Sequence, residues 1–242
     1  MKRHIPNIIT LGNLLCGSLA VYIAIQGNIR DAAALILLGA ILDFFDGLVA
    51  RLLNVSNELG MQLDSLADLI TFGLAPTFIA FHVLKEALVD QPMSIPFIEY
   101  MPFLIVLLSA MRLAKFNIDE RQVEDFIGMP TPANALLWLS IGLSCFYFPE
   151  GMIANIFDNP GIVIMTIIVF SIVMVVELPV FSLKLKSLGF RGNEWKIILL
   201  IISIILLIFL SIEAVPLIII LYLILSLIKN VLAKPDDKKY IA

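Results

Sequence analysis

The chain has 242 residues, of which 60% are hydrophobic and 15% are charged, and its formal net charge is -4. Soluble domains carry about 25% charged residues, so this composition is typical of a protein that crosses a membrane several times. The acidic balance excludes the basic footprint of a nucleic-acid-binding protein. Both cysteines, Cys16 and Cys145, lie in apolar segments, which indicates neither a disulfide framework nor a zinc site.

Apolar segments long enough to span a bilayer, at about 17 to 25 residues each, recur along the chain. There are eight of them, near residues 6–26, 32–53, 63–85, 97–116, 132–149, 160–182, 195–212 and 214–233. Turn-forming or charged residues separate them, including a corner expected at 213–216. We therefore expect an all-α membrane protein, with residues 1–233 forming one membrane domain and residues 234–242 a polar C-terminal tail. The last two spans are rich in Leu and Ile and are expected to face lipid or a partner subunit.

The basic residues predict the orientation of these spans. With the N-terminus inside, only Arg30 and Lys85 of the 16 lysines and arginines fall on the outer side. We expect a multi-pass protein of the inner or plasma membrane with both termini in the cytoplasm. The loop between the second and third spans would then also be cytoplasmic.

Polar side chains interrupt the first span at a helical spacing. Asn7, Thr10 and Asn13 lie at i, i+3 and i+6, on a roughly shared face of a helix. Hydrogen bonds between membrane helices would account for such residues. Contact with a polar ligand is the alternative.

Four aspartates interrupt the second and third spans. Two of them share a helix face with small residues, and the other two are one turn apart: Asp43 and Asp46 with Gly47 and Ala50, then Asp64 and Asp68. An acid at the centre of a membrane helix costs about 2.5 to 3.5 kcal/mol on insertion scales, so such acids normally face a cavity or an ion. Oxygen ligands with no His or Cys nearby favour Mg²⁺, Mn²⁺ or Ca²⁺. A cluster neutralised by neighbouring basic residues is the alternative.

The spacing D-x2-D-G-x2-A-R-x8-G-x3-D-x3-D resembles the signature of the CDP-alcohol phosphotransferase family, integral-membrane enzymes of phospholipid synthesis. The match covers every signature position: Asp43, Asp46, Gly47, Ala50, Arg51, Gly60, Asp64 and Asp68. The resemblance implies that the four aspartates hold two divalent cations, Mg²⁺ or Mn²⁺, with Asp68 also acting as general base in a direct displacement that releases CMP. It further implies a homodimer.

The same resemblance assigns the nucleotide half of the site. It implies that the first helix lines the CDP pocket, so that Asn7, Thr10 and Asn13 contact the nucleotide. Gly47 and Gly60 would admit the nucleotide closely. Arg51 would pair with a phosphate or with the acids.

Three further stretches, at 64–77, 112–117 and 128–135, look like those of the phosphatidylserine synthase branch of the family. This implies CDP-diacylglycerol and L-serine as substrates. Since the carboxylate of serine needs a fixed cation, further substrate contacts are expected from Thr71, Arg112, Lys115 and Asn117. Lys115 stands where the branch usually has Arg, which keeps the charge and loses the bidentate fork.

Other functions remain open on the sequence alone. An acceptor such as glycerol phosphate, inositol or inositol phosphate stays possible, although a phosphate-bearing one needs more cations than Arg112 and Lys115 supply. A cation transporter could use intramembrane acids, but it would not need Gly47 and its neighbours at fixed offsets. Arg112 and Lys115 could also simply extend to the membrane surface, as basic residues at helix ends do.

Overall fold

The computed structural model describes residues 4–55, 58–118, 126–181 and 193–232, and these ranges are almost entirely helical. Their α-helices, in chain order, are α1 (Ile5–Ile25), α2 (Ile29–Leu52), α3 (Glu58–Asp68), α4 (Ala75–Asp90), α5 (Phe103–Ile118), α6 (Thr131–Tyr147), α7 (Met152–Phe157), α8 (Pro160–Val175), α9 (Glu194–Leu210) and α10 (Ala214–Leu232). A π-helix over Leu69–Leu74 joins α3 to α4, and 3-10 turns lie at Ile98–Tyr100 and Ser211–Glu213.

A helix occurs in each of the eight predicted segments, and the all-α membrane fold is confirmed. By length and composition, five helical stretches of the described chain could cross a membrane: Ile5–Ile25, Ile29–Leu52, Glu58–Val89, Ile98–Ile118 and Glu194–Leu232. The helices α6 and α8 have 17 and 16 residues, so their crossing stays a prediction. The proposed polar tail, 234–242, lies outside the described residues.

Two local features differ from the sequence expectation. The break between the predicted spans 132–149 and 160–182 contains a short helix, α7, whose Phe157 packs edge-to-face on Trp138 of α6. The corner expected at 213–216 begins earlier, at Ser211, whose φ is +50°. Pro216 lies inside α10, near its start, where a missing N–H costs no helical hydrogen bond.

Close packing of small residues holds α1 and α2 against the third span. A Cβ added to Gly17 of α1 would lie 2.8 Å from Thr71 Cα, and one added to Gly39 of α2 would lie 2.6 Å from Thr71 Cγ2. Such distances leave no room for a side chain, so the backbones approach as they do in small-residue membrane interfaces. This contact lies within one turn of Asp68 and fixes the height at which the acid-bearing helices meet.

A two-residue antiparallel pair, β1 (Phe126–Ile127) with β2 (Pro179–Val180), connects the segment before α6 to the segment after α8. The next residue, Gly128, has φ +75°, and its N–H donates to the Leu178 carbonyl at 2.8 Å. A Cβ there would lie against the main-chain carbonyl of Met174, so only glycine fits. The start of α6 is thereby held against the end of α8.

The proposed orientation predicts which loops an impermeant thiol reagent can reach in intact cells. Asn54, exposed between α2 and α3, should be protected when replaced by Cys in a background lacking Cys16 and Cys145. Asn155, exposed in α7 after three further spans, should react when replaced in the same way. Labelling of Asn54→Cys from outside would overturn the cytoplasmic position of the loop between the acid-bearing helices.

Candidate active site

Three of the predicted aspartates converge where α2 faces α3. Asp43, Asp64 and Asp68 each offer one carboxylate oxygen, and these oxygens all lie within 4.8 Å of one another. The i and i+4 spacing of Asp64 and Asp68 places both on the face of α3 that meets Asp43. Asp68 Oδ1 is buried and has no hydrogen-bond partner in the described part of the chain.

The fourth aspartate, Asp46, is oriented by the first helix. It is 6% exposed, and its Oδ2 accepts a hydrogen bond of 2.6 Å from Thr10 Oγ1. Thr10 Oγ1 also lies 3.1 Å from the Pro6 carbonyl, but the shorter bond to a carboxylate is the stronger one. Thr10 therefore fixes the rotamer of Asp46 at the edge of the acid cluster.

The donor set fits a hard divalent cation. All the converging side chains are carboxylates, and the unpartnered Asp68 Oδ1 leaves lone pairs for a ligand. Arg51 does not neutralise the cluster through its Nε, which donates to the Gly47 carbonyl of its own helix at 3.0 Å. Arg51 Nε therefore does not satisfy the acids, and the alternative in which neighbouring basic residues neutralise them rests on Arg112, which interacts with Asp68.

A cavity of about 300 Å³ opens beside the acids. Most of the predicted nucleotide contacts line it together, and its lining is Pro6, Asn7, Thr10, Asp46, Gly47, Ala50, Val55, Gly60, Met61 and Asp64. A Cβ added at Gly47 would meet no atom within 4 Å, so this glycine faces open space. A larger cavity of about 450 Å³ lies beside His82 and Asn155, and none of the four signature aspartates of α2 and α3 lines it.

Two predicted substrate contacts, Thr71 and Asn13, do not line the cavity beside the acids. Thr71 is fully buried in the π-helical segment, and its Oγ1 donates to the main-chain carbonyl of Asn13 at 3.1 Å. Asn13 is also fully buried, and its side-chain atoms have no partner among the described residues. Both residues lie at the junction of α1, α2 and the third span. Single-turn π-helices are frequent at functional sites, and this one directly follows Asp68.

The three predicted acceptor contacts on α5, Arg112, Lys115 and Asn117, contact three different neighbours. Arg112 is 7% exposed, its Nη1 donates to Thr131 Oγ1 at 3.4 Å, and the Asp68 carboxylate attracts it electrostatically. Lys115 is exposed, and its Nζ donates to the Val175 carbonyl at 3.4 Å. Of these three residues, Arg112 is the buried one, and it interacts electrostatically with Asp68.

Asn117, the third of the trio, donates through Nδ2 to Ser65 Oγ at 2.8 Å. Ser65 directly follows Asp64, so this bond ties the end of α5 to the acid-bearing helix. Neither Ser65 nor Thr131 was in the predicted set. The available signal was their position inside the family-like stretches at 64–77 and 128–135.

Comparison with known proteins places this geometry in a family. A family model described as CDP-alcohol phosphatidyltransferase matches residues 3–176, which include all four aspartates and Arg112. A Bacillus subtilis protein named CDP-diacylglycerol--serine O-phosphatidyltransferase is 44% identical over 131 residues, covering 54% of this chain and 70% of the relative. A Helicobacter pylori protein of the same name is 34% identical over 156 residues, 63% of each chain.

An archaeal protein extends the comparison. The archaetidylserine synthase of Methanothermobacter thermautotrophicus is 30% identical over 145 residues, which cover 59% of each chain. The chain thus spans less than two thirds of this relative and of the Helicobacter one. The matched family region nevertheless exceeds half of the chain and contains the acid cluster, the cavity beside it and the buried arginine. The chain therefore belongs to the CDP-alcohol phosphatidyltransferase family.

Proposed function

We propose that this protein transfers the phosphatidyl group of CDP-diacylglycerol to the hydroxyl of L-serine, giving phosphatidylserine and CMP. The observation that carries the proposal is the convergence of Asp43, Asp64 and Asp68 near a buried cation, Arg112. A nucleotide-sized cavity adjoins the acids on the other side. The names of the three relatives, each a serine-directed transferase or synthase, support serine as the acceptor.

The four aspartates would hold two divalent cations, Mg²⁺ or Mn²⁺. Asp43, Asp64 and Asp68 supply converging oxygens, and Asp46 adds a fourth carboxylate fixed by Thr10. When bound, such ions neutralise the diphosphate and stabilise the departing CMP. An all-oxygen donor set suits both of these ions, and Ca²⁺ as well.

The cavity residues would bind the nucleotide. Asn7 offers a polar side chain at its wall, and Gly47 leaves space for the ligand to approach the helix backbone. Gly60 lines the opposite wall on α3, and Arg51 is exposed one turn beyond Gly47, where it could meet a phosphate. Asn13 and Thr71, which do not line the cavity, would act by holding the first and third spans together.

Asp68 would take the proton of the acceptor. The serine hydroxyl oxygen attacks the phosphorus of the phosphatidyl group, the bond from that phosphorus to the CMP oxygen breaks, and the hydroxyl proton moves to the Asp68 carboxylate. The unpartnered Oδ1 of Asp68 is available for this transfer. Because a carboxylate is a weaker base than an alkoxide, proton loss late in the displacement suits this residue.

Arg112 would fix the acceptor by its carboxylate. It is a buried cation that interacts electrostatically with Asp68, and a guanidinium presents a fork that matches a carboxylate. Lys115 and Asn117 would complete the acceptor side less directly. Asn117 would do so through its bond to Ser65 beside Asp64, and Lys115 by adding positive charge at the membrane surface.

Release of CMP from CDP-diacylglycerol, measured on the purified protein with each candidate alcohol, tests this function. Serine should support release, while glycerol phosphate, inositol and inositol phosphate should not. Release with one of these instead would reassign the acceptor. Cation uptake into vesicles without CMP release under any condition would favour the transporter alternative.

We also propose that the enzyme lies in the cell's inner or plasma membrane with both termini in the cytoplasm, and that it forms a homodimer. Large apolar side chains on the outer faces of α1, α2 and α9 support burial in lipid or against a second copy, among them Leu15, Tyr22, Phe44, Ile208 and Phe209.

The bond from Thr10 to Asp46 makes a specific prediction. Thr10→Val keeps the shape of the side chain but removes the hydroxyl, so Asp46 should lose its fixed orientation and kcat should fall about 10- to 100-fold, as for other ligand-orienting partners. Thr10→Ser should restore most of the rate because it retains the donor. Ser18→Ala, which removes an exposed hydroxyl from the same helix, serves as the control. Equal rates for Thr10→Val and the control would contradict this role.

A further inference from the structure

Asn134, a polar residue near the start of α6, is buried without a hydrogen-bond partner among the described residues. Asn134 is 0% exposed, and neither its Nδ2 nor its Oδ1 has a hydrogen-bond partner in the described part of the chain. An amide left unpaired in a protein interior costs stability, so buried amides are normally satisfied. An orphaned buried asparagine therefore needs a reason to be there.

The position of Asn134 connects it to the acceptor half of the site. It lies one turn after Thr131, the residue that accepts a hydrogen bond from Arg112, and the i and i+3 spacing places both on neighbouring parts of one helix face. The Nε of Arg112 is likewise buried and unpartnered. The same helix packs on the π-helical segment that follows Asp68. The unsatisfied groups of Asn134 and Arg112 thus belong to two helices, α6 and α5, that both pack on the π-helical segment after Asp68.

We propose that Asn134 contacts the acceptor substrate, with Oδ1 accepting a hydrogen bond from its ammonium group and Nδ2 donating to its carboxylate beside Arg112. This inference deepens the proposed function and rests on it. A neutral amide carries one acceptor and two donors, so it can bind both ends of a zwitterion without repelling either. An aspartate would repel the carboxylate, and a lysine would repel the ammonium.

The proposal predicts that loss of the Asn134 amide weakens the use of serine without lowering the stability of the protein. Asn134→Leu replaces the amide with an apolar group of the same branched shape, so the unpaired groups disappear and the unfolding temperature in detergent should stay unchanged or rise. The KM for serine should rise about ten-fold or more for each of the two hydrogen bonds to charged groups that are lost. The KM for CDP-diacylglycerol should not change. A structural role would produce the reverse pattern, with lower stability and an unchanged serine KM.

Acceptor analogues identify which group Asn134 contacts. 3-Hydroxypropanoate keeps the hydroxyl and the carboxylate of serine but lacks the ammonium group. The wild type should prefer serine, and Asn134→Leu should narrow that preference about ten-fold, because a lost ammonium contact no longer separates the two substrates.

Ser144→Ala is the matched control. Ser144 lies on the same helix, is fully buried, and has an unpartnered Oγ. It is ten residues further along, about 15 Å away at 1.5 Å per residue, so its removal should leave the KM for serine unchanged. If Ser144→Ala and Asn134→Leu gave the same KM, the proposal would be overturned.

Two further outcomes, misfolded variants and a different acceptor alcohol, also test the role of Asn134. A loss of folding in both Asn134→Leu and Asn134→Ala would overturn the proposal, because it would make Asn134 a structural residue. If the wild type used a different alcohol, the proposed function would fail on its own. A raised KM for that alcohol in Asn134→Leu would then retain Asn134 as an acceptor contact, and an unchanged KM would reject both inferences.

Discussion

Replacement of Asp64 by asparagine is expected to lower CMP release on the order of a thousand-fold. Asparagine keeps the shape of the side chain but removes the charge from a cluster in which Asp43, Asp64 and Asp68 offer oxygens within 4.8 Å of one another. A metal ion acting on phosphoryl oxygens contributes several kcal/mol to the transition state, and about 1.4 kcal/mol corresponds to ten-fold in rate. Asp43→Asn should have an effect of the same size.

Asp31→Asn is the matched control for the loss of a negative charge. Asp31 lies on α2, the helix of Asp43, but at its first turn, where the side chain of Asn28 donates to its carboxylate at 2.8 Å. This variant should keep wild-type turnover. Binding of Mn²⁺, followed by electron paramagnetic resonance, should weaken in Asp43→Asn and Asp64→Asn and be unchanged in the control. Full activity of both cluster variants at saturating Mg²⁺ or Mn²⁺ would remove the basis for the metal site.

Asp68→Asn separates the two roles proposed for that residue. If Asp68 serves mainly as the proton acceptor, the variant should lose turnover while it retains most of its affinity for CDP-diacylglycerol. An equal loss of binding would reassign Asp68 as chiefly a metal ligand. Rapid-mixing measurement of CMP release alongside equilibrium binding of the nucleotide lipid distinguishes these results.

The convergence of the acids follows from local periodicity, which is why the sequence predicts it. Aspartates at i and i+3 or i and i+4 lie on one face of a helix. Because exposure of an acid to lipid is costly, that face is expected to turn inward, toward the other acids. The π-helix after Asp68 could not be predicted in this way. It depends on contacts of Thr71 with Asn13 on α1 and with Gly39 on α2, which are distant in sequence.

The two halves of the site also differ in how far they depend on local periodicity and how far on contacts that are distant in sequence. The cavity beside the acids, proposed to bind the nucleotide, brings Asn7, Thr10, Gly47 and Gly60 together because all lie on the faces of three helices that the acids already fix. The acceptor half depends on where individual side chains point at the end of α5. Lys115 turns to Val175 of α8, and Asn117 turns to Ser65 of α3. Because Thr131 meets Arg112 only through the tertiary packing of α6 on α5, spacing along the chain gives no sign of that contact.

The acceptor assignment predicts the second large effect. A hydrogen bond to a charged group contributes about 1.5 to 3 kcal/mol, and about 1.4 kcal/mol is a factor of ten. Arg112→Ala should therefore raise the KM for serine at least ten-fold, while the affinity for CDP-diacylglycerol changes little. The KM of Arg112→Lys for serine should lie between those of the wild type and Arg112→Ala, because lysine keeps the charge but loses the fork. Arg30→Ala, which removes an exposed cation at the far end of α2, should match the wild type.

Serinol tests the contact itself, since it keeps the hydroxyl and the ammonium group of serine but has no carboxylate. The wild type should use serinol poorly, and Arg112→Ala should narrow the difference in kcat/KM between the two alcohols, because the variant no longer recognises the group that distinguishes them. A loss of the same proportion for both alcohols would mean that Arg112 does not bind the carboxylate. Its burial beside Asp68 and its bond to Thr131 would then be explained by contact with a phosphate or by support of the acid-bearing helices.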